Sequence, residues 1–489
     1  MSTTQLWVLP ILVSLFTIPQ CIQAKAVFAH FMVANTANYT TADWASDITL
    51  AKASSIDAFA LNSGYGENHT ERAFKDAFAV AKELDFKLFV SFDYSGDGHW
   101  PKDQAVKLLS NYTGHDAYYR HEDGRALVST FEGFQAAGDW ADIKQKVGKN
   151  VGNDTCCYFI PEWASAGVAK ASMIAATDGL MGWHAWPYGN MEMNTTEDKQ
   201  FMDALKGDGK SYIMPVSPWF YTNLRQFNKN WVWQGDEVWA QRWQQVIEVQ
   251  PEYVEILTWN DYGESHYIGP VREKAIGVLE SAGAPFDYVS GMPHDGWRAM
   301  LPYWISQYKA GDTTSREGVK IEDEVLSAWY RVSAASACGD GKTMGNSKSQ
   351  SQNLLKPGEV LQDKVFYSAL LEGSADVKVS IGGENRTAEW TDVPEGGKGV
   401  YTGSIPFDKH TGDVVVTLTR DGDFLAQMKG KDIVDSCPGN LTNWNAWVGN
   451  ATAVKTNRAA GADGDDSAGV SLPRSLWLLG LGMAFSLLI

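Results

Sequence analysis

Short apolar runs rich in β-branched residues recur between residues 26 and 258 at a spacing of about 30 residues, the length of one strand–helix unit. Most are hydrophobic throughout rather than alternating, which is typical of strands buried on both faces. The runs that predict strands are residues 26–33, 58–61, 88–92, 126–131, 156–160, 179–185, 212–216 and 253–258.

Between these runs the hydrophobic residues follow a helical period. In residues 70–84, for example, Ala73, Phe74, Ala77 and Ala81 fall on one face of a helix. Strands that alternate with helices form a parallel sheet, and eight such units predict closure into a (β/α)8 TIM barrel. We therefore expect an α/β protein whose barrel domain covers residues 27–335.

The pattern changes beyond about residue 358, where short strands separated by turn signals such as Asp421-Gly422 replace the helical units. These features predict a C-terminal antiparallel β-sandwich domain over residues 336–450. Its expected strands are residues 364–371, 375–381, 387–391, 399–406, 413–419 and 424–428.

Both ends of the chain carry processing signals. Residues 1–26 resemble a secretory signal peptide, with an apolar stretch followed by the A-x-A pattern Ala24-Lys25-Ala26. Residues 451–475 form a small-residue and acidic linker, and residues 476–489 form an apolar tail. This arrangement is the signature of a GPI-attachment signal, with Ser467 as the chosen site and Gly464 and Asp466 as alternatives.

Sequons and cysteines also indicate an extracellular protein. Cys338 and Cys437 bracket the predicted sandwich, so we expect a disulfide between them. Cys156 and Cys157 are adjacent, and a vicinal bridge, two buried thiols or pairings elsewhere all fit that spacing. The Asn-x-Ser/Thr sequons predict glycosylation at Asn38, Asn68, Asn111, Asn153, Asn194, Asn385, Asn440 and Asn450.

Composition indicates which classes of binding partner to expect. A formal net charge of −18 repels phosphate backbones, so nucleic acid is not expected to bind. The 20 Trp, 19 Tyr and 20 Phe residues supply flat faces that stack on sugar rings, although aromatic residues also fill cores. No paired-histidine spacing or nucleotide-binding motif is present, so we expect neither a metal nor a cofactor. We also expect the protein to be a monomer that contacts a membrane only through the GPI anchor.

Polar or aromatic residues follow nearly every predicted strand, where barrel enzymes place their active sites. Any one of them alone could be a helix cap or a loop residue. That explanation does not account for acids that recur at the same end of different strands. The residues are His30, Asn62, Asp93, Glu132, Glu162, His184, Trp186, Trp219, Asn260, Asp261 and Glu264.

Directly after the eighth predicted strand comes the segment Trp259-Asn260-Asp261-Tyr262-Gly263-Glu264-Ser265-His266. It places two carboxyl groups three residues apart. Glycoside cleavage needs one protonated carboxyl group to protonate the leaving oxygen and one ionised group to activate water or attack the sugar. Trp259 and Tyr262 are expected to form a wall that excludes solvent from the pair. The competing interpretation is an acidic cap and a salt-bridged surface glutamate.

This segment resembles the eighth-strand motif of fungal glycoside hydrolase family 71, the endo-α-1,3-glucanases or mutanases. Further pieces match in order at strand ends, among them Phe89-Val90-Ser91-Phe92-Asp93 and Ser129-Thr130-Phe131-Glu132-Gly133. The likeness covers residues 25–325 and implies an inverting endo-hydrolase of α-1,3-glucan, without a metal, secreted to the cell wall or held at the cell surface. The motif is also similar to the Trp-Asn-Glu-x-x-Glu motif of family 99 endo-mannosidases.

The resemblance implies that Asp261 and Glu264 are the catalytic pair, and we expect Glu264 to be the general acid and Asp261 the general base. Inversion places the two carboxyl groups about 6.5 to 9.5 Å apart. If these side chains converge instead, Asp93, Glu132 or Glu162 is the alternative partner. The glucan cleft is expected to be lined by the remaining strand-end residues together with Trp183 and Tyr262.

Two other functions remain open from the sequence alone. One is an endo-acting glycosidase for another α-linked glycan, of the endo-mannosidase kind. The other is a wall protein that binds glycan without cleaving it, or serves only as a tethered scaffold. The intact acids argue against a protein that does not catalyse a reaction.

Overall fold

Eight parallel strands close into a barrel in which consecutive strands are neighbours and the first pairs with the last. The computed structural model describes residues 25–454 except 97, 153–155, 312 and 348–353. The predicted (β/α)8 barrel is confirmed. We number the barrel strands 1 to 8: Ala26–Met32, Ala58–Gly64, Lys87–Asp93, Ala126–Phe131, Cys157–Glu162, Gly179–Met181, Ser211–Val216 and Tyr253–Ile256.

Helices form the outer layer, and several of the longer ones have one apolar face. The helix Thr70–Glu83 buries Ala73, Phe74, Ala77 and Phe78, the face that its hydrophobic period predicted. The α-helices of the described residues are Thr41–Ala53, Thr70–Glu83, Lys102–Tyr112, Trp140–Val151, Val168–Ala171, Thr196–Lys206, Val238–Val249, Val278–Ser281, Leu301–Ala310, Thr313–Glu317 and Pro357–Val360.

A hairpin that we did not predict follows barrel strand 7. Its strands, Phe220–Leu224 and Lys229–Trp233, pair antiparallel, and the second also pairs in parallel with the short strand Met344–Gly345. Because the hairpin leaves from the carboxyl end of strand 7, it lies on the side of the barrel where active sites are built.

The C-terminal region is a sandwich of two four-stranded antiparallel sheets, as predicted, but its first strand lies before residue 336. Val325–Arg331 is a central strand, and the last strand extends to Thr452. The first sheet has the order Gly399–Pro406, Lys364–Leu371, Val325–Arg331, Ala446–Thr452. The second has the order Glu384–Arg386, Asp376–Ile381, Val414–Arg420, Asp423–Lys429.

The barrel shares an apolar core with one side of the sandwich, and a second buried cluster fills the space between the two sandwich sheets. Trp329, Phe366 and Trp444 of the sandwich belong to the same buried cluster as the barrel residues. Indole groups also bridge the two parts: Trp219 Nε1 donates to the Trp444 carbonyl at 3.0 Å, and Trp329 Nε1 donates to the Asp236 carbonyl at 2.6 Å. A buried seam of this kind holds the two parts as one body.

The structure joins Cys338 to Cys437 and Cys156 to Cys157, so the vicinal bridge is the one of our three alternatives that it contains. Ala26, the last residue of the predicted signal peptide, is the first residue of barrel strand 1. Residues 1–24 of that peptide, Asn153 and the Ser467 region lie outside the described residues. The other seven sequon asparagines are all exposed.

None of the helices in the described part of the chain has the length and apolar character needed to cross a lipid bilayer.

Candidate active site

The turn after barrel strand 8 brings the two predicted carboxylates together. The Asp261 N–H donates to Thr258 Oγ1 at 2.8 Å, and the Glu264 N–H donates to Asp261 Oδ1 at 3.0 Å. These bonds wind the segment into a tight turn. As a result, both carboxylates face the buried ring of His266, two residues further on.

Two cationic side chains contact this pair. Lys229 Nζ, from the hairpin after strand 7, lies 2.5 Å from Glu264 Oε1. His266 Nε2 lies 3.1 Å from Glu264 Oε2 and 3.4 Å from Asp261 Oδ2. Both oxygens of Glu264 are therefore engaged, whereas Asp261 Oδ2 has only the longer contact with the histidine.

These contacts determine the protonation of the site. Burial alone would raise the pKa of Glu264, but the charges of Lys229 and His266 outweigh it and lower that pKa to about 2. Burial would likewise lower the pKa of His266, but Asp261 and Glu264 raise it to about 9. Near neutral pH, Glu264 is therefore ionised and His266 is protonated.

The carboxylates of Asp261 and Glu264 converge. One atom from each of Asp261, Glu264 and His266 lies within 4.8 Å of the others. This is shorter than the separation of about 6.5 to 9.5 Å that leaves room for a water molecule in an inverting site. A cation could bridge three such atoms. Here the Lys229 ammonium already contacts Glu264, and a protonated histidine has no lone pair to offer a metal.

Asp93, at the end of barrel strand 3, is a carboxyl group of a different kind. Its Oδ1 accepts the N–H groups of Ser95 at 2.7 Å and Gly96 at 3.1 Å. Among the described residues, its Oδ2 has no hydrogen-bond partner. Burial raises the pKa of Asp93, and the two N–H donors together with His30 and Lys229 offset only part of that effect. The charges of Asp93 and Lys229 interact, and Asp93 ends a strand of the same barrel whose eighth strand leads to Asp261 and Glu264.

Glu132 and Glu162 form a separate pair at the ends of strands 4 and 5. Glu162 is buried, and it accepts the N–H groups of Glu132 at 3.1 Å and Ala164 at 2.8 Å. Burial, reinforced by the charge of Glu132, raises the pKa of Glu162 to about 8. Through these bonds Glu162 fixes the starts of the loops that follow strands 4 and 5.

Several residues predicted to bind substrate are buried instead and hold the barrel mouth together. Asn260 Oδ1 accepts the Met32 N–H at 2.7 Å, and its Nδ2 donates to the Met32 carbonyl at 3.1 Å. His30 Nδ1 lies 2.7 Å from Glu255 Oε1 inside the barrel, and Asn62 is buried below the mouth. Tyr262 is also buried and donates its hydroxyl to the Pro270 carbonyl at 2.8 Å.

The predicted aromatic residues divide between the cleft and the core. Trp183, His184 and Trp186 line one cavity beside the carboxylates, together with Trp233 of the hairpin. Trp219 does not line it, because its indole is buried against the sandwich and donates to Trp444. Trp259 is likewise buried beneath the site and packs on Phe59 at 5.1 Å.

Sequence reasoning missed two cations of the site. His266 was visible in the motif, and its spacing of two residues from Glu264 was a usable signal. Lys229 lies 35 residues from Glu264 in the chain, on a hairpin that we did not predict. Only the tertiary fold reveals that contact.

A group of carboxylates and cations at the carboxyl end of a closed (β/α)8 barrel, beside a tryptophan-lined cavity, defines a glycosidase-type site. Residues 23–460 match the profile of Glycosyl hydrolase family 71, and the chain belongs to that family.

Known relatives agree with this assignment. The chain is 35% identical to the glucan endo-1,3-alpha-glucosidase agn1 of Schizosaccharomyces pombe, over 87% of this chain and 94% of that protein. It is 31% identical to the mutanase Pc12g07500 of Penicillium rubens, over 90% and 92%. Among solved structures it is similar to a GH99 endo-alpha-mannosidase from Bacteroides thetaiotaomicron, with a TM-score of 0.46 and 14% identity over 60% of this chain and 98% of the other.

The first prediction concerns Lys229. Replacing it by Met removes the positive charge that stabilises the Glu264 carboxylate, so the pKa of Glu264 should rise from about 2. Titration of the side-chain carboxyl by 13C NMR would measure this shift, with Glu264→Gln used to assign the signal.

Lys229→Arg keeps the charge and should leave that pKa low, and Lys82→Met removes an outer-surface lysine as the matched control. An unchanged Glu264 titration in Lys229→Met would contradict the assignment of the lysine as its charge partner.

Proposed function

We propose that this protein cleaves internal α-1,3-glucosidic bonds of α-1,3-glucan, with a cell-wall polymer as its substrate. The observation that carries the proposal is membership of family 71 across most of the chain, together with an acidic, tryptophan-lined cleft at the barrel mouth. The two curated relatives named above bear names that state this activity. The barrel alone would not support the proposal, because the same fold serves many reactions.

The charges support a revised division of roles. A general acid must hold a proton at the working pH, and a pKa of about 2 leaves Glu264 without one. We therefore withdraw the acid role that the sequence suggested for Glu264 and propose Asp93 as the proton donor, since burial raises its pKa. From the sequence, Asp93 is one of the alternative partners expected in case the side chains of Asp261 and Glu264 converge.

Asp261 keeps the role of general base. Its Oδ2 is the less engaged of the carboxylate oxygens that contact His266, so it is available to take a proton from attacking water. Glu264, held by Lys229 and His266, keeps His266 protonated and fixes the turn that carries Asp261. The proton passes from Asp93 to the glycosidic oxygen, water attacks the anomeric carbon, and its proton passes to Asp261. The configuration at that carbon is inverted.

The second prediction tests the substrate. The purified protein should release reducing sugars from α-1,3-glucan and produce oligosaccharides from the first minutes, because an endo-enzyme cuts inside chains. Parallel assays on α-1,4-glucan, β-1,3-glucan and an α-linked mannan supply the controls. Activity on one of these with none on α-1,3-glucan would overturn the proposal, and inactivity on every glycan would favour a binding protein.

The third prediction tests the roles. Asp93→Asn should lower the rate on polymeric glucan by about 10² to 10⁴, because an amide has no proton to give. The loss should be much smaller on an α-1,3-glucooligosaccharyl fluoride, whose leaving group needs little protonation. Asp261→Asn should be impaired on both substrates, because water must still be activated.

Asp103→Asn, on the outer helix Lys102–Tyr112, is the matched control for an aspartate change. The assignment is wrong if Asp93→Asn keeps normal rates on the polymer while the fluoride rescues Glu264→Gln, which would return the acid role to Glu264.

The fourth prediction concerns location. The two chain ends lie outside the described residues, and their sequence patterns support secretion with glycosylation and GPI attachment at Ser467. A phosphatidylinositol-specific phospholipase should release the protein from cell membranes. An intact mass that includes residues 476–489 would contradict cleavage of the tail.

A further inference from the structure

The loop after barrel strand 6 and the helix Thr196–Lys206 contribute most of the lining of two neighbouring cavities, on the side where Trp186 packs against His266. A wall of His184, Tyr188 and Glu197 is common to both. The inner cavity, of about 40 Å³, is the tryptophan-lined one described above. The outer pocket has a volume of about 300 Å³ and is also lined by Met191, Asn194 and Gln200.

Aromatic rings connect these cavities to the reaction centre. The indole of Trp186 packs edge-on against the His266 ring, with centroids 5.5 Å apart. Trp233 packs on Trp186 at 4.9 Å. Only the Trp186 ring therefore separates the inner cavity from His266, which contacts both carboxylates. The outer pocket lies on the other side of the shared wall. A polymer that occupies the reaction centre can extend along this direction.

The shared wall has the chemistry of sugar recognition. Tyr188 is 43% exposed, so a ring face is accessible. Its hydroxyl donates to Glu197 Oε2 at 3.4 Å, and its ring lies 4.6 Å from the His184 ring, which orients it. Among the described residues, Glu197 Oε1 accepts no hydrogen bond. A flat aromatic face beside an available carboxylate oxygen matches a pyranose ring and its hydroxyl groups.

Buried polar contacts hold this wall in place. Arg242 forms a bidentate ion pair with Asp198, next to Glu197, at 2.8 and 2.9 Å, and it also donates to the His184 carbonyl at 3.3 Å. On the other side, the Gly189 N–H donates to Asn346 Oδ1 at 2.8 Å. The loop is thus fixed at both ends of the wall, and a preformed pocket loses little entropy when a ligand binds.

We infer that the outer pocket is a remote subsite for one glucosyl unit of the substrate chain, with Tyr188 stacking on the sugar ring and Glu197 accepting a hydrogen bond from its hydroxyl groups. Its volume is at the lower end of the range for ligand pockets, about 300 to 1,000 Å³, which suits a single sugar. This inference rests on the proposed function. A remote subsite contributes binding energy only for chains long enough to reach it.

The fifth prediction follows from that length dependence. Tyr188→Ala and Glu197→Gln should each raise KM for long α-1,3-glucooligosaccharides by about tenfold, the equivalent of one lost stacking or hydrogen-bonding contact. On the shortest oligosaccharides that the wild type cleaves, their kinetics should match the wild type. Tyr188→Phe keeps the ring and should stay close to wild type on both. Kinetics on a series of α-1,3-glucooligosaccharides of defined length would measure the ratio of the variant KM to the wild-type KM at each length.

Two controls separate this inference from the proposed function. Glu83→Gln, at the end of an outer helix, is the matched control for the glutamate change. Asn194 is a sequon residue on the pocket lining, so all proteins are treated with an endoglycosidase before the assay. Equal losses on short and long chains, or no loss on either, would overturn the subsite while leaving the glucanase activity established. A wild type inactive on every α-1,3-oligosaccharide would overturn the proposed function and the subsite with it.

Discussion

Parallel pairing between barrel strands 8 and 1 is the constraint on which the active site depends. The backbones pair from Ala26 and Tyr253 to Ala29 and Ile256. Beyond that point the Trp259 N–H donates to the His30 carbonyl at 2.7 Å, and the Asn260 side chain bonds both the N–H and the carbonyl of Met32. This closure seals the barrel and brings the strand 8 turn over its mouth, in the same ring of strand ends as Asp93. Without this closure, the turn that carries Asp261 and Glu264 would not be held over the barrel mouth.

Charge balance is the second organising feature. The whole chain has a formal net charge of −18, yet the reaction centre sets two cations, Lys229 and His266, against the carboxylates of Asp261 and Glu264. A buried carboxylate without such partners would take up a proton. Pairing keeps Glu264 ionised although it is desolvated, whereas burial raises the pKa of Asp93, which is held by backbone N–H groups.

Regular periodicity made the barrel predictable from sequence, because most strands are apolar runs and several of the longer helices have one apolar face. The carboxylate pair was predictable because its members are three residues apart. The hairpin around Lys229 was not, since its aromatic and polar residues follow neither period. Trp219 and Tyr262 were misplaced because composition does not show which way a ring points. The sandwich strand Val325–Arg331 was missed because it follows the last barrel helices without a change in composition.

The indole hydrogen bonds from barrel to sandwich determine where the protein can be truncated without damage to the cleft. Trp186 packs on His266 and donates to the Trp219 carbonyl at 3.0 Å, and Trp219 in turn donates to Trp444 of the sandwich. The sandwich therefore supports the wall of the cleft. It is not an independent domain that can be exchanged in the way that a carbohydrate-binding module can. A truncation after the barrel would expose tryptophans and remove the acceptor for Trp219. An exchange of the sandwich between relatives would therefore have to keep the hydrogen bond between Trp219 and Trp444.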